Sequence, residues 1–375
     1  MFELLKGVTV LDLSTVVFGP FASQMLADFG ADVIKVESPD GDIFRAAAPA
    51  RHRGMGAGYL NLNRNKRSIS LDLKRPEGRA ALDDLVREAD VFLHNLAPGA
   101  LARRGFGGDA LREHNPGLIT CEINGYGSSG PGAQKKAYDF LVQAESGICA
   151  INGTREQPAR VGISICDIAS GQTAFSSILR ALIQRGRTGT GIDISIAMFD
   201  VMADFMNFPL LAHRYLGGAP ERMGLTHALI APYGAYPTKD GGEILISIQN
   251  EREFVRFADE VLNRPDMPSD KNFCNNEARC INRGALDKII NGAFTAIKRE
   301  KLIQRLRVAK IAFGEINDVS GLSRHPALRR VKVQSHSGPV EIAAPPATFD
   351  TNICELGAVP AVGEHSEKIR EEFSK

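Results

Sequence analysis

Apolar and polar positions along the first two hundred residues alternate between two periods. VTVLDL (residues 8–13), DVIKVE (32–37), SISLDL (68–73), DVFLHN (90–95) and LITCEING (118–125) are short runs rich in Val, Ile and Leu, and each predicts a strand. Between them lie amphipathic stretches. FASQMLADFG (21–30) ends on a glycine suited to a helix C-terminus, PEGRAALDDLVREA (76–89) opens on proline, and a short helical piece is centred on residues 109–113. Residues 167–185 predict a long helix, and GIDISIAMFDVM (191–202) predicts a strand that runs into a helix. Near-continuous apolar strands alternating with helices predict a doubly wound α/β domain whose parallel sheet is covered on both faces.

The pattern changes after about residue 205. LAHRYLGGAPERMGLTHALIAPYG is rich in Gly and Pro and predicts a crossing segment. GAYPTKDGGEILISI (234–248) predicts a hairpin turning at Asp240-Gly241-Gly242, and helical patterns follow from Glu251 to about Arg307. Strand-like VKVQSH and GPVEIAA and a last helix in EHSEKIREEFSK complete the chain. The expected organisation is a large α/β domain in 1–205, a linker in 206–228, a small α+β domain in 229–312, and a return to the large domain in 313–375.

Composition removes several function classes. With 375 residues, 43% hydrophobic and 24% charged, the chain can bury a sizeable core. Its 45 basic and 44 acidic residues leave a net charge of +1, so no global field draws it to nucleic acid or an anionic membrane, and an anionic ligand must be held locally. Cys121, Cys149, Cys166, Cys274, Cys280 and Cys354 form no CxxC pair and read as reduced, mostly buried thiols with no metal site. The N-terminus lacks a basic region followed by a long apolar run, and no stretch reaches membrane-spanning length, so the expected location is cytoplasmic.

Local motifs leave the chemistry open. The first β-α-β unit places Glu37 where a ribose-binding carboxylate would sit, but its turn, STVVFGPFAS, lacks the glycines that admit a pyrophosphate, which counts against a nucleotide-dependent oxidoreductase. Arg64, Lys66, Arg67 and Lys74 form either a solvated basic edge or a phosphate pocket, and Arg103-Arg104 and Lys135-Lys136 are further basic pairs beside turns. GYGSSGPG is a surface turn or a cleft wall, not a Walker loop. Asp167, at the end of the apolar run RVGISICD, is either a helix cap or a carboxylate at a strand's ligand-binding end.

Taken together, GVTVLDLSTVVFGPFASQMLADFGADVIKVESPDGD, NLNRNKRSISLDL, VFLHNLAPGALARRGF, NPGLITCEINGYGSSGPGAQKKAYDFLVQAESG, CDIASGQTA and RTGTGIDISIAMFD resemble the class III CoA-transferases, the family of formyl-CoA transferase and the carnitine and bile-acid CoA-transferases. The resemblance is strong to about residue 245 and returns at PAVGEHSEKI. It implies a large domain built from both chain ends, an inserted small domain, and two chains interlocked as rings in a homodimer. It implies that coenzyme A is a co-substrate, that neither a metal nor a tightly bound cofactor is used, and that Asp167 attacks an acyl-CoA to pass through aspartyl anhydride and aspartyl-CoA thioester stages. Carried over by position, CoA contacts fall on Val17, Phe18, Ser38, Leu71, Asp72, Leu73, Lys74, Asn95, Leu96, Ala97, Arg103, Lys136, Ala137 and Tyr138, with Asp139 assisting the acyl steps.

Two positions narrow the resemblance. Val17 stands where formyl-CoA transferases carry a Gln, which argues against formyl or oxalyl substrates. Tyr138 stands where the related α-methylacyl-CoA racemases carry a histidine base, and a phenol with an ordinary pKa near 10 is poorly matched to proton abstraction at neutral pH. The expected acceptors are short carboxylates, dicarboxylates such as succinate, mesaconate or itaconate among them. Transfer between two carboxyls of one acid fits equally, and Arg222 and His227 are candidate partners for a distal carboxylate.

Overall fold

The computed structural model describes residues 2–47, 49–50, 52–349 and 355–373; Cys354, Ser374 and Lys375, which enter the readings above, lie outside the described residues. The chain forms two compact units. One comprises Met1–Ile148, Val161–Phe208 and Arg329–Lys375, the other Cys149–Arg160 and Pro209–Leu328.

The first unit is built on six strands, β1 (Thr9–Asp12), β2 (Asp32–Glu37), β3 (Lys66–Ser70), β4 (Val91–His94), β5 (Ile119–Asn124) and β6 (Asp193–Ala197), in the order β3-β2-β1-β4-β5-β6. Every neighbouring pair is parallel. Alternate residues face opposite sides. Val10, Val33, Val91 and Leu93 pack under the helices Phe18–Asp28 and Ile165–Thr188, while Leu11, Ile34, Ile69 and Phe92 pack against the helix Pro76–Glu88. Burial on both faces explains why these strands read as unbroken apolar runs. Each fully buried Val, Leu or Ile contributes about 1.5–3 kcal/mol. The C-terminal helix Ser366–Phe373 adds Ile369 to the second of these cores, and His365 N donates to Ser68 O at 2.9 Å, so β3 is covered by the far end of the chain.

The second unit carries three antiparallel strands, β7 (Tyr233–Pro237), β8 (Glu243–Ser247) and β9 (Ala312–Glu315), with the hairpin turning where Asp240-Gly241-Gly242 predicts it. Its core is aromatic and aliphatic: Phe254, Phe257, Phe294, Ile246, Ile290 and Leu302. The segment expected as a crossing linker, 206–228, opens with the helix Asn207–Tyr215, in which Pro209 falls in the first turn, where its missing N–H removes no helical hydrogen bond. Of the five cysteines described, Cys121 and Cys166 are buried, Cys149 and Cys280 half-buried and Cys274 exposed, so burial is less general than the sequence suggests. Among the described residues, no helix is long and apolar enough to cross a membrane.

Candidate active site

The strand order reverses between β1 and β4, the point where doubly wound sheets open a crevice at the carboxyl ends of their strands. The turn that leaves β1 there is tied at every residue. Ser14 N donates to Asp12 Oδ1 at 2.9 Å and Ser14 O accepts from Lys35 Nζ at 2.9 Å. Asn95, one residue beyond β4, accepts from Thr15 N (3.0 Å) and donates to Thr15 O (2.8 Å). Val16 N donates to Asp42 Oδ1 at 3.3 Å. These ties hold Val16 at φ +72°, a left-handed conformation that costs a β-branched residue on the order of 1–3 kcal/mol. Val17 follows as the residue preceding the helix Phe18–Asp28.

A buried ionic cluster lies against this turn. Lys66 Nζ donates to Asp12 Oδ2 (3.0 Å), Pro20 O (3.0 Å) and Asn63 Oδ1 (2.9 Å), and Lys35 pairs with Asp42 Oδ2 at 3.0 Å. Burial raises the Asp12 carboxyl, but Lys66, Lys35 and the hydroxyls of Ser14 and Ser23 outweigh it and hold it far below the ordinary range. Burial dominates at Lys66 and brings it down to about 8, whereas at Lys35 the charges of Asp12, Asp42 and Glu37 overcome burial and raise it. Arg64 is likewise bound to Asp28, and Arg67 to Asp32 and Glu372. Three of the four cations expected either to hold phosphates or to be solvated are therefore paired with carboxylates of the chain, Arg64 and Lys66 buried and Arg67 half-buried. Of that set Lys74 remains exposed. Glu37 is engaged bidentately by Arg45 (2.8 and 2.7 Å) and accepts from Asp42 N and Ser68 Oγ, which leaves no carboxylate for a ribose.

Two cavities open at this edge of the sheet. One, of about 470 Å³, is lined by Ser38, Leu71, Asp72, Leu73, Lys74, Leu96 and Ala97 among the predicted contacts. Its wall also includes Leu13, Ser14, Thr15 and Asp42, which sequence reasoning did not single out, beside Glu37 and Arg104, which it named separately. The other, of about 370 Å³, is lined by Phe18, Asn95, Lys136, Ala137 and Tyr138, and it shares Leu96 and Ala97 with the first. Val17 is buried and lines neither, and in the first cavity the lining arginine is Arg104 rather than Arg103. The four residues missed lie on the loops after β1 and β2, and only the sheet order brings them to one wall with the loops after β3 and β4.

Asp167 sits in the first turn of the helix Ile165–Thr188, not at the end of a strand. The run before it forms no strand: Ile163 is 57% exposed, and the helix begins two residues before Asp167 because Asp139 caps it from outside. Asp139 Oδ1 accepts from Cys166 N at 2.8 Å and from Asp167 N at 3.1 Å. Asp139 itself opens the helix Asp139–Glu145, directly after Tyr138 in the wall of the second cavity. Neither acid lines the two cavities described, and Asp167 is only 7% exposed. Burial, with the Asp139 charge second, pushes the Asp167 carboxyl up to about 7. Gly171 sets where this helix lies: a Cβ there would stand 2.5 Å from Phe18 O, so only glycine allows the close crossing with the helix Phe18–Asp28.

Arg222, expected to reach a distal carboxylate, is committed elsewhere. Its guanidinium donates to the carbonyls of Thr154 (2.9 Å), Ala150 (3.0 Å) and Arg155 (3.0 Å), stapling the two pieces of chain that form the second unit. His227 stacks on Tyr233 with ring centroids 5.2 Å apart.

The chain is 34% identical over 98% of its length to a succinate–glutarate CoA-transferase of Agrobacterium fabrum, covering 95% of that protein. It is 32% identical over 98% of its length to the human succinyl-CoA:glutarate CoA-transferase, covering 85% of it. The crystal structure of a CAIB/BAIF family protein from Brucella suis superposes with a TM-score of 0.87 at 33% identity, covering 100% of both chains. The family model for CoA-transferase family III matches residues 5–366. The chain therefore belongs to CoA-transferase family III.

Proposed function

We propose that the protein transfers CoA between carboxylic acids with Asp167 as the covalent nucleophile, and that its acids are short dicarboxylates. The observation that carries the reading is the carboxylate of Asp167: buried, fixed in the first turn of its helix, and with a pKa of about 7 that leaves it both ionisable and nucleophilic at neutral pH. An Asp167 oxygen attacks the thioester carbonyl of the donor acyl-CoA, the C–S bond breaks, and CoA leaves as thiolate. The thiolate then attacks the aspartyl carbonyl of the mixed anhydride, releasing the donor acid and leaving an aspartyl-CoA thioester. The acceptor carboxylate attacks that thioester, expelling CoA thiolate, which returns to the acceptor's acyl carbon and frees Asp167. Each stage retains an activated acyl group, so no ATP is consumed. The dicarboxylate assignment rests on the succinate and glutarate in the relatives' names.

The cavities suit an extended CoA. The nucleotide would occupy the larger one beside Lys74 and Arg104, and the pantetheine arm would pass Leu96 and Ala97 into the smaller one, whose wall leads through Tyr138 to Asp139. Lys74→Ala should then raise KM for acyl-CoA about fivefold, the equivalent of ~1 kcal/mol, with kcat unchanged and with the effect shrinking as salt rises. Steady-state kinetics at two ionic strengths check this. Tyr138, Phe140, Leu141 and Ile163, between 46% and 69% exposed, form apolar surface around the nucleophile that supports an interlocked homodimer, readable as twice the chain mass in native mass spectrometry.

The central test is trapping. After incubation with succinyl-CoA and treatment with hydroxylamine or borohydride, mass spectrometry should locate a modification at Asp167. An unmodified Asp167 peptide under turnover overturns the covalent scheme.

A further inference from the structure

The chemistry of Asp167 depends on where the first turn of its helix lies, and that turn is held by a side chain from another element. Asp139 Oδ1 takes the N–H groups of Cys166 and Asp167, while Asp139 Oδ2 accepts from Gln143 Nε2 at 2.6 Å. Gln143 is fully buried, and it stands four residues after Asp139 on the same face of the helix Asp139–Glu145. Its Oε1 accepts from Val161 N at 2.9 Å, and its Nε2 also lies 3.4 Å from the carbonyls of Val161 and Ile163. The orientation of the amide is therefore determined. Flipping it would set an oxygen against a carboxylate and two carbonyls, and an NH₂ against a backbone N–H.

We propose that Gln143 is a positioning residue for the reaction at Asp167: its amide clamps Asp139 to the 161–163 segment and so fixes, from both sides, the helical turn that carries the nucleophile. The inference rests on the reading of Asp167 as nucleophile. One contact reaches Asp167 through the Asp139 carboxylate; the other holds the backbone at Val161, four residues before the helix begins at Ile165. A buried glutamine is an expensive way to fill space unless its polar atoms are all used, and here both are. Asp139 is also the charged group whose field raises Asp167, so the clamp holds the distance across which that field acts.

Two variants test the clamp. Gln143→Leu keeps the bulk and removes both hydrogen bonds. It should lower kcat about 10²-fold, the scale of a misplacement near 1 Å, with KM for acyl-CoA changed less than about threefold, and the Asp167 adduct should form correspondingly more slowly. Gln143→Glu keeps the acceptor for Val161 N but faces Asp139 with a second carboxylate, so the acid limb of kcat/KM should move up by about one pH unit. A role confined to packing would lower the melting temperature of both variants but leave the kcat of the folded protein and the acid limb where they are. Wild-type kcat in a folded Gln143→Leu, or an unmoved limb in Gln143→Glu, overturns the proposal; if the leucine variant does not fold, the limb of the glutamate variant decides. Absence of the adduct in the wild type overturns the nucleophile reading itself, whereas an adduct forming at the wild-type rate in Gln143→Leu overturns only the clamp.

Discussion

Asp167→Asn is expected to abolish CoA transfer, by about 10³-fold or more, while making the fold more stable at alkaline pH. The two effects have one origin. The Asp167 carboxyl is raised from 3.8 to about 7, chiefly by burial, so the folded protein binds its proton more tightly than the unfolded chain does. Between about pH 4 and 7 the folded state then carries more protons, and stability falls as pH rises through that window. Above pH 7 the full cost of holding a buried carboxylate is present, up to ~4 kcal/mol. Asparagine has nothing to ionise. The variant should therefore melt well above the wild type at pH 8, and the gap should close as pH falls toward 4. Wild-type kcat/KM should lose activity below a midpoint near pH 7, where Asp167 takes up its proton. Melting curves across pH, set beside kcat/KM profiles, check both; an active Asp167→Asn, or one that melts no higher than wild type at pH 8, would sink this account.

The largest loss of stability is expected from Asp12→Ala. Asp12 and Lys66 are both fully buried, and Asp12 also accepts from Ser14 and Ser23. Removing the carboxylate strands the Lys66 ammonium without its counter-charge, which costs about 3–5 kcal/mol, and it frees the turn after β1 whose Ser14 and Thr15 line the larger cavity. Asp12→Ala combined with Lys66→Met should recover much of that loss, because two well-packed neutral side chains leave no charge in the interior. Chemical denaturation of the two single variants and the double variant measures the coupling. A double variant whose loss equals the sum of the two single losses would show that the pair does not act as a unit. Recovery of stability without recovery of the KM for acyl-CoA would separate the structural role of the pair from its role in shaping the cavity.

The strands were legible because burial on both faces of a parallel sheet demands uninterrupted apolar runs, and DVIKVE and LITCEING state that demand locally. Helix boundaries were legible wherever the stop signal is local, as with Pro76 at the start of its helix or Gly30 just past the end of another. Illegible were the features that depend on a partner far along the chain. Arg64, Lys66 and Arg67 look like a phosphate cluster until Asp28, Asp12 and Asp32 arrive from 36, 54 and 35 residues away. Ile163 and Ile165 look like the end of a strand until Asp139, 27 residues before Cys166, caps a helix there. Gln143 carries no signal of its own, because its meaning lies in two hydrogen bonds to groups 4 and 18 residues distant.

By itself, then, the sequence determined the doubly wound sheet, the hairpin of the second unit and, through its family resemblance, the acid to be tested as nucleophile, since periodicity and motif are properties of neighbouring residues. The tertiary structure alone decided which charges are spent on one another, which loops share a cavity wall, and what holds Asp167. Charge pairing and capping act over a few ångströms, and only the folded chain sets which residues come that close.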